Sequence, residues 1–288
     1  MKLTMEEAKR LMAENNGNLD LHGADITELP DDLTVEGWLD LSDTGITQLP
    51  DNLTVRDRLY LNRTGITTLP DNLTVEGSLY LIDTEITKFP DNITVKGKGW
   101  LCLSKTKITE LPDSLTIEGS LDLEDTEIAL LPDNLTVGGC LSLKNSRITE
   151  LPDNLTVGGR LDLSGTGITK LPDSLNVGCL DLEDTAIITL PDNLVIEGWL
   201  DLCNTGITEL SNNLIVGNWL DLRYTKVANL PDNLIVGGYL DLSGTGITEL
   251  PKNLIIGGDL YLQDTEITKL PGSLKVGSRI YDRNGKII

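Results

Sequence analysis

Five aspartates, Asp162, Asp181, Asp201, Asp221 and Asp241, recur at intervals of nineteen or twenty residues. Two residues before the last three of them stand Trp199, Trp219 and Tyr239. Trp38 and Trp100 hold the equivalent place earlier in the chain, so all four tryptophans share one position. A row of carboxylates attracts a cationic surface, and rigid aromatics beside it offer anchors for a protein interface. The chemistry of this pairing is recognition, not bond-making.

Nothing else in the chain supplies a reactive set. His22 is the single histidine, and Cys102, Cys140, Cys179 and Cys203 are spaced by 38, 39 and 24 residues, which fits no zinc pattern. They read as free thiols in a reducing cytoplasm. If coils stack roughly 4.8 Å apart, Cys102 lies four coils from His22, out of reach for a Cys–His pair. The run from Asp40 through Ser42 and Thr44 to Gly45 echoes the start of a calcium loop but lacks its closing glutamate. The expectation is therefore no catalytic residue, no metal and no cofactor.

A formal net charge of −22 repels nucleic acid and anionic membrane and draws a basic partner. The opening stretch, MKLTMEEAKRLMAENNG, carries acids in its middle and lacks the apolar run of a signal peptide. No segment approaches the length of apolar sequence that spans a bilayer. These features predict a monomer that binds protein, without direct nucleic-acid or membrane contact. It would act in the cytoplasm or be delivered to a host cell without a visible signal.

What positions the acids and aromatics is a repeat of twenty residues. Numbered from its first Leu, the unit reads L-P-D-N-L-T-V-x-G-x-L-x-L-x-x-T-x-I-T-x, and all twelve prolines fall at its second place. Apolar residues hold positions 1, 5, 7, 11, 13 and 18. Their alternation on either side of a glycine corner is strand periodicity. Pro at position 2 with Asp and Asn after it is turn chemistry, and it accounts for the acids at position 3, Asp31 to Asp232. Position 16 is Thr in eleven of twelve full units and Ser146 in the other. It should point inward with its hydroxyl bonded to backbone, because a buried unpaired hydroxyl is costly. Six apolar side chains cannot be buried within twenty residues, so coils must stack.

The core L-x-L-x-x-T-x-I-x-x-L-P resembles that of leucine-rich-repeat proteins, with Thr where the ladder Asn is usual. The period and the LP pair are similar to the short bacterial class found in secreted effectors of Gram-negative pathogens. Thr-bearing arrays of this kind also occur in bacterial and phage proteins. The resemblance covers residues 17–280. It implies a mainly β leucine-rich-repeat solenoid with a parallel sheet on its concave face and no helices on the outer side, where NLTV would run as short extended pieces. The expected organisation is a helical cap over 1–17, a solenoid over 18–276 and a C-terminal cap over 277–288. Thr4 with Glu7 forms a capping box, and Leu3, Met5, Ala8, Leu11 and Met12 make one apolar face. Asn284-Gly285 marks a hairpin. Two extra residues within VKGKGWL at 95–101 predict a bulge, and the shortened unit 171–189 predicts a tightened corner.

Within the strand, positions 11 and 13 face the core and positions 10, 12 and 14 face out. The five aspartates then form an outward ladder at position 12. Bare carboxylates roughly 4.8 Å apart repel by about 0.9 kcal/mol in water. Folding does not ask for this, since Ser142 and Tyr60 serve the same place. Repeat copying alone would also leave such a row, and the rings could simply stack along the sheet. The reading that uses all these residues is a non-catalytic recognition surface of an effector, adaptor or inhibitor. It is made of Asp162, Asp181, Asp201, Asp221, Asp241, Trp199, Trp219 and Tyr239, with Trp38 and Trp100 in earlier coils. The alternative is a nucleic-acid mimic that inhibits a DNA- or RNA-binding bacterial defence protein. A smaller basic spot, Lys88, Lys96, Lys98, Lys105 and Lys107, reads as a second contact or a solvated face.

Overall fold

Each coil of this chain leaves backbone donors and acceptors on both rims, and the next coil takes them up. The computed structural model describes residues 1–90, 97–113 and 115–288, with the backbone of 94–95, as two compact units, Met1–Arg147 and Ile148–Ile288. In both, the N–H at position 11 donates to the carbonyl at position 10 of the following coil, as from Leu200 to Trp219 (3.0 Å). The N–H at position 13 donates to position 12 in the same way, as from Leu202 to Asp221 (3.0 Å). The result is a parallel ladder in strict register, Leu on Leu and Asp on Asp.

The first unit begins with a helix, α1 (Met5–Glu14), whose N-cap Thr4 accepts a hydrogen bond from the Glu7 N–H at 3.2 Å. Leu3 and Ala8 are buried against the first coil, while Met5, Leu11 and Met12 are half-buried. The chain leaves the helix through Asn16 (φ 51°) and Gly17 (φ 85°), and the Gly17 N–H returns to the Met12 carbonyl at 2.8 Å. Strands Leu19–Asp20, Leu39–Asp40, Leu59–Tyr60, Leu79–Tyr80, Trp100–Cys102, Ser120–Asp122 and Leu141–Ser142 follow in sequential order. The second unit repeats the pattern with Arg160–Asp162, Cys179–Asp181, Leu200–Asp201, Leu220–Asp221, Leu240–Asp241, Leu260–Tyr261 and Ile280–Tyr281. At its end Tyr281 pairs antiparallel with Ile287 around the Asn284-Gly285 turn.

The NLTV segments form a second set of two-residue parallel strands, as the resemblance implied. Thr34–Val35 to Thr94–Val95 make one sheet in the first unit, and Val195–Ile196 to Lys275–Val276 make one in the second. This second ladder breaks where the unit length departs from twenty. Thr94–Val95 is the last strand of its sheet before the insertion, and Asn176 and Val177 of the shortened unit form no strand. In each unit the ladder through positions 11–13 tolerates the change, because the insertion of the first unit and the deletion of the second lie in the corner between the two strands of a coil.

Three devices shape the coils. In most of them the turn after Pro is closed by backbone, with the position 5 N–H donating to the position 2 carbonyl, as from Leu234 to Pro231 (3.2 Å). Among the described residues the position 3 carboxylates accept no hydrogen bond, contrary to the expectation for Asp at this turn; Asp91 lies outside them. The glycine corner is a close approach of neighbouring backbones. A Cβ at Gly119 would lie 1.8 Å from the Gly99 carbonyl oxygen, so no side chain fits there. Position 15 is left-handed, at φ 54–60° in residues as different as Arg63, Asp184 and Tyr224. That turn exposes the side chain and brings the chain back to the core.

The threonine at position 16 is inward and satisfied. Its hydroxyl donates to the carbonyl three residues earlier, as from Thr205 to Leu202 and from Thr225 to Leu222, both at 2.7 Å. Ser146 is the exception, since its buried Oγ has no partner. The γ-methyl of Thr limits χ1 and holds the hydroxyl on its acceptor, whereas Ser lacks that restraint. We expect Ser146→Thr to raise the unfolding free energy by about 1 kcal/mol, the net value of one hydrogen bond. The urea midpoint of the variant against wild type checks this.

Candidate functional site

The five aspartates of the second unit arise from one local rule. Residues i and i+2 of a strand share a face, so each Asp at position 12 stands beside position 10 of its own strand and position 14 after it. One carboxylate oxygen turns back onto the backbone N–H two residues on: Asp162 to Ser164 (3.0 Å), Asp181 to Glu183 (3.2 Å), Asp201 to Cys203 (2.9 Å), Asp221 to Arg223 (2.9 Å) and Asp241 to Ser243 (2.9 Å). The same bond forms in the first unit at Asp20, Asp40 and Asp122. These acids therefore have a structural task, ending the strand and starting the left-handed turn.

The expectation that position 12 stands free in solvent is corrected. Asp162, Asp181 and Asp221 are 7, 8 and 3% exposed, and Asp201 and Asp241 are half-buried. Aromatic and arginine side chains from position 10 and position 14 lean over them. Nor are the carboxylates bare. Arg160 Nη2 donates to Asp162 at 2.7 Å and to Asp181 at 2.5 Å. Arg223 holds Asp221 through Nε at 2.7 Å and stands 3.8 Å from Asp241. Asp201, in the middle, has no cation against it among the described residues. Neither arginine stood out in the sequence by type, yet each sits two residues from a ladder Asp, the spacing that puts both on one face.

Burial sets the electrostatics of the row. It raises the carboxyl pKa of Asp181 and of Asp221, in the latter against the pull of Arg223. It pushes Asp201 up to about 7, with the carboxylates of Asp221 and Asp181 adding to the effect. Burial also pushes the Cys203 thiol up to about 11 and the Tyr239 hydroxyl up to about 12. Asp201, Cys203 and Asp221 bring donor atoms within 4.8 Å of one another and form the set that could hold a metal ion.

The aromatics pack face to face rather than projecting. Trp199 and Trp219 stack at 4.6 Å between ring centres and 4° between planes, and Trp219 stacks on Tyr239 at 5.4 Å and 4°. Tyr261 closes one end edge-on to Tyr239 at 5.9 Å and stacks on Tyr281 at 4.7 Å. Arg160 closes the other, its guanidinium 5.1 Å above the Trp199 ring. Trp199, Trp219 and Tyr239 are all half-buried. Trp38 and Trp100 belong to the first unit, the former half-buried and the latter 44% exposed. Also in that unit, Lys88 pairs with Glu110 at 2.6 Å and Lys107 pairs with Glu85, so the basic spot is partly neutralised; Lys96 lies outside the described residues. Among the described residues no helix is long and apolar enough to cross a membrane.

Because the Asp201 pKa is raised above its ordinary 3.8, the native state favours the protonated form. Its contribution to stability is full below that ordinary value and is lost as pH rises through about 7. Asp201→Asn keeps the acceptor for the Cys203 N–H without titrating. In chelator-treated protein the variant should melt several degrees above wild type at neutral to alkaline pH, and the difference should shrink towards zero in mild acid. Paired thermal melts across this range give the check.

Comparison by sequence finds no matching family model and no matching curated protein. Solved structures do match. YopM from Yersinia enterocolitica is 21% identical over 96% of this chain and 72% of its own, with a TM-score of 0.53. YopM from Yersinia pestis, described as a leucine-rich effector protein, is 15% identical over 96% of this chain and 91% of its own, with a TM-score of 0.56. These likenesses, with the parallel ladder and the single N-terminal helix, give the chain the leucine-rich-repeat fold.

Proposed function

We propose that the chain is a non-catalytic protein-recognition module that binds a partner with a basic surface on the acid–aromatic face of its second unit. The observation that carries this reading is the stacked strip from Arg160 through Trp199, Trp219 and Tyr239 beside five in-register aspartates. These side chains are already held by one another, so a partner orders little on binding, and such preorganisation favours affinity. The acidic chain steers a basic partner, while the half-buried rings supply rigid contact area. The fold it shares with a leucine-rich effector protein supports the reading. On the same reading the chain belongs with the short twenty-residue LP class and acts as a monomer, in the cytoplasm or inside a host cell.

The nucleic-acid-mimic alternative draws less support. It needs an exposed, uncompensated row of charge, whereas three of the five carboxylates are buried and four lie beside an arginine.

The test is affinity capture from lysate with wild type, with Trp219→Ala combined with Asp241→Lys, and with Ile235→Thr on the second sheet as control. The reading expects proteins held by wild type and by the control, released by added salt, and lost with the double variant. Identical captures for all three, or none for wild type, would sink it.

A further inference from the structure

The aspartate row of the second unit has two arginines for five carboxylates. Arg160 serves Asp162 and Asp181, and Arg223 serves Asp221 and Asp241. Asp201 is left between them. One of its oxygens accepts the Cys203 N–H, and among the described residues nothing donates to the other. Beside it lies the thiol of Cys203, a residue only 6% exposed, with no hydrogen-bond partner among the described residues. The Cys203 sulfur, an Asp201 oxygen and an Asp221 oxygen lie within 4.8 Å of one another. The arrangement follows from the ladder: Asp201 and Cys203 share a face at i and i+2, and Asp221 is the register partner of Asp201. Position 14 elsewhere in this unit is Ser164, Glu183, Arg223, Ser243, Gln263 or Arg283, so Cys203 is the one thiol at this position, while Cys179 stands at position 10 beside Asp181.

We propose that Asp201, Cys203 and Asp221 bind a divalent cation of the thiophilic, borderline-soft kind, with zinc as the type. A thiolate beside carboxylates suits such an ion, whereas magnesium and calcium take all-oxygen shells of about six or more ligands. Bond lengths of about 2.0–2.3 Å to oxygen and sulfur require the three donors to close on one another slightly, which rotation of the two aspartates supplies. Charge balances at the site: two carboxylates, one thiolate, Arg223 and a dication sum to zero. Asp221 can serve Arg223 and the ion together, because a carboxylate offers about four lone-pair sites. Three protein donors leave one tetrahedral position for water or for a partner's side chain. This site stands independently of the recognition reading.

The experiment uses the full chain, stripped with chelator and titrated with cobalt(II) as a spectroscopic stand-in for zinc. The expected result is a saturable thiolate-to-cobalt charge-transfer band at one equivalent, removed by zinc and untouched by magnesium. Cys203→Ser should lack the band, and Asp201→Asn should weaken binding by roughly tenfold or more. Absence of the band in wild type overturns the proposal. So does a band that persists in Cys203→Ser, since Cys102, Cys140 or Cys179 would then be the ligand. Circular dichroism verifies that each variant is folded. Should Cys203→Ser fail to fold, the near-isosteric Asp201→Asn decides, and unchanged cobalt affinity there overturns the assignment.

Discussion

Everything in this molecule depends on parallel pairing in register at a twenty-residue period. That constraint places each side chain roughly 4.8 Å from its counterpart in the next coil. A choice that is good against itself then becomes a ladder, and a choice that is bad against itself becomes a column of repulsion. Leucine, isoleucine and valine are good against themselves, and they fill positions 5, 7, 11, 13 and 18 almost throughout. Threonine is neutral to its neighbour because its hydroxyl is spent on its own coil, three residues back. Asparagine at position 4 or 15 can donate to the preceding coil, as Asn213 does to Asn193 at 3.0 Å.

Aspartate is the residue the constraint punishes, and the second unit carries it five times running. Three physical devices make the column tolerable. Each carboxylate accepts a hydrogen bond from the backbone N–H two residues ahead, which offsets part of its charge. Arg160 and Arg223 each bridge two rungs. The remaining rung, Asp201, is relieved by a pKa raised to about 7, which holds its proton close to neutrality. The aspartate row therefore does structural work at every rung and has electrostatic slack at one.

The aromatics answer the same constraint. Flat rings at one position of successive coils have little choice but to stack, and a spacing of 4.6 Å between Trp199 and Trp219 is close to the spacing of the coils themselves. Their faces are used inside the stack, which leaves the rings half-buried beside the aspartates. A surface of that kind discriminates by shape and charge pattern more than by insertion of single anchors.

Much of this could be read from the chain alone. Prolines confined to one place gave the period, the apolar positions gave the strand faces, and Thr4 with Glu7 gave the helix start. Those features are local, and in a repeat the local rule is applied again to the neighbour, so sequence suffices for the fold. The depth of the aspartates was not legible, nor were the partners of Arg160, nor the meeting of Cys203 with Asp201 and Asp221. These depend on which way a long side chain leans across the sheet, and on the neighbour from a coil about twenty residues away. Position 12 points away from the core in any such strand, but whether it meets water is set by the bulk at positions 10 and 14 of adjacent coils. Sequence determined the coil and its stacking because backbone periodicity dictates both. Tertiary structure decided which carboxylates are compensated, because that is settled by side chains converging from different coils.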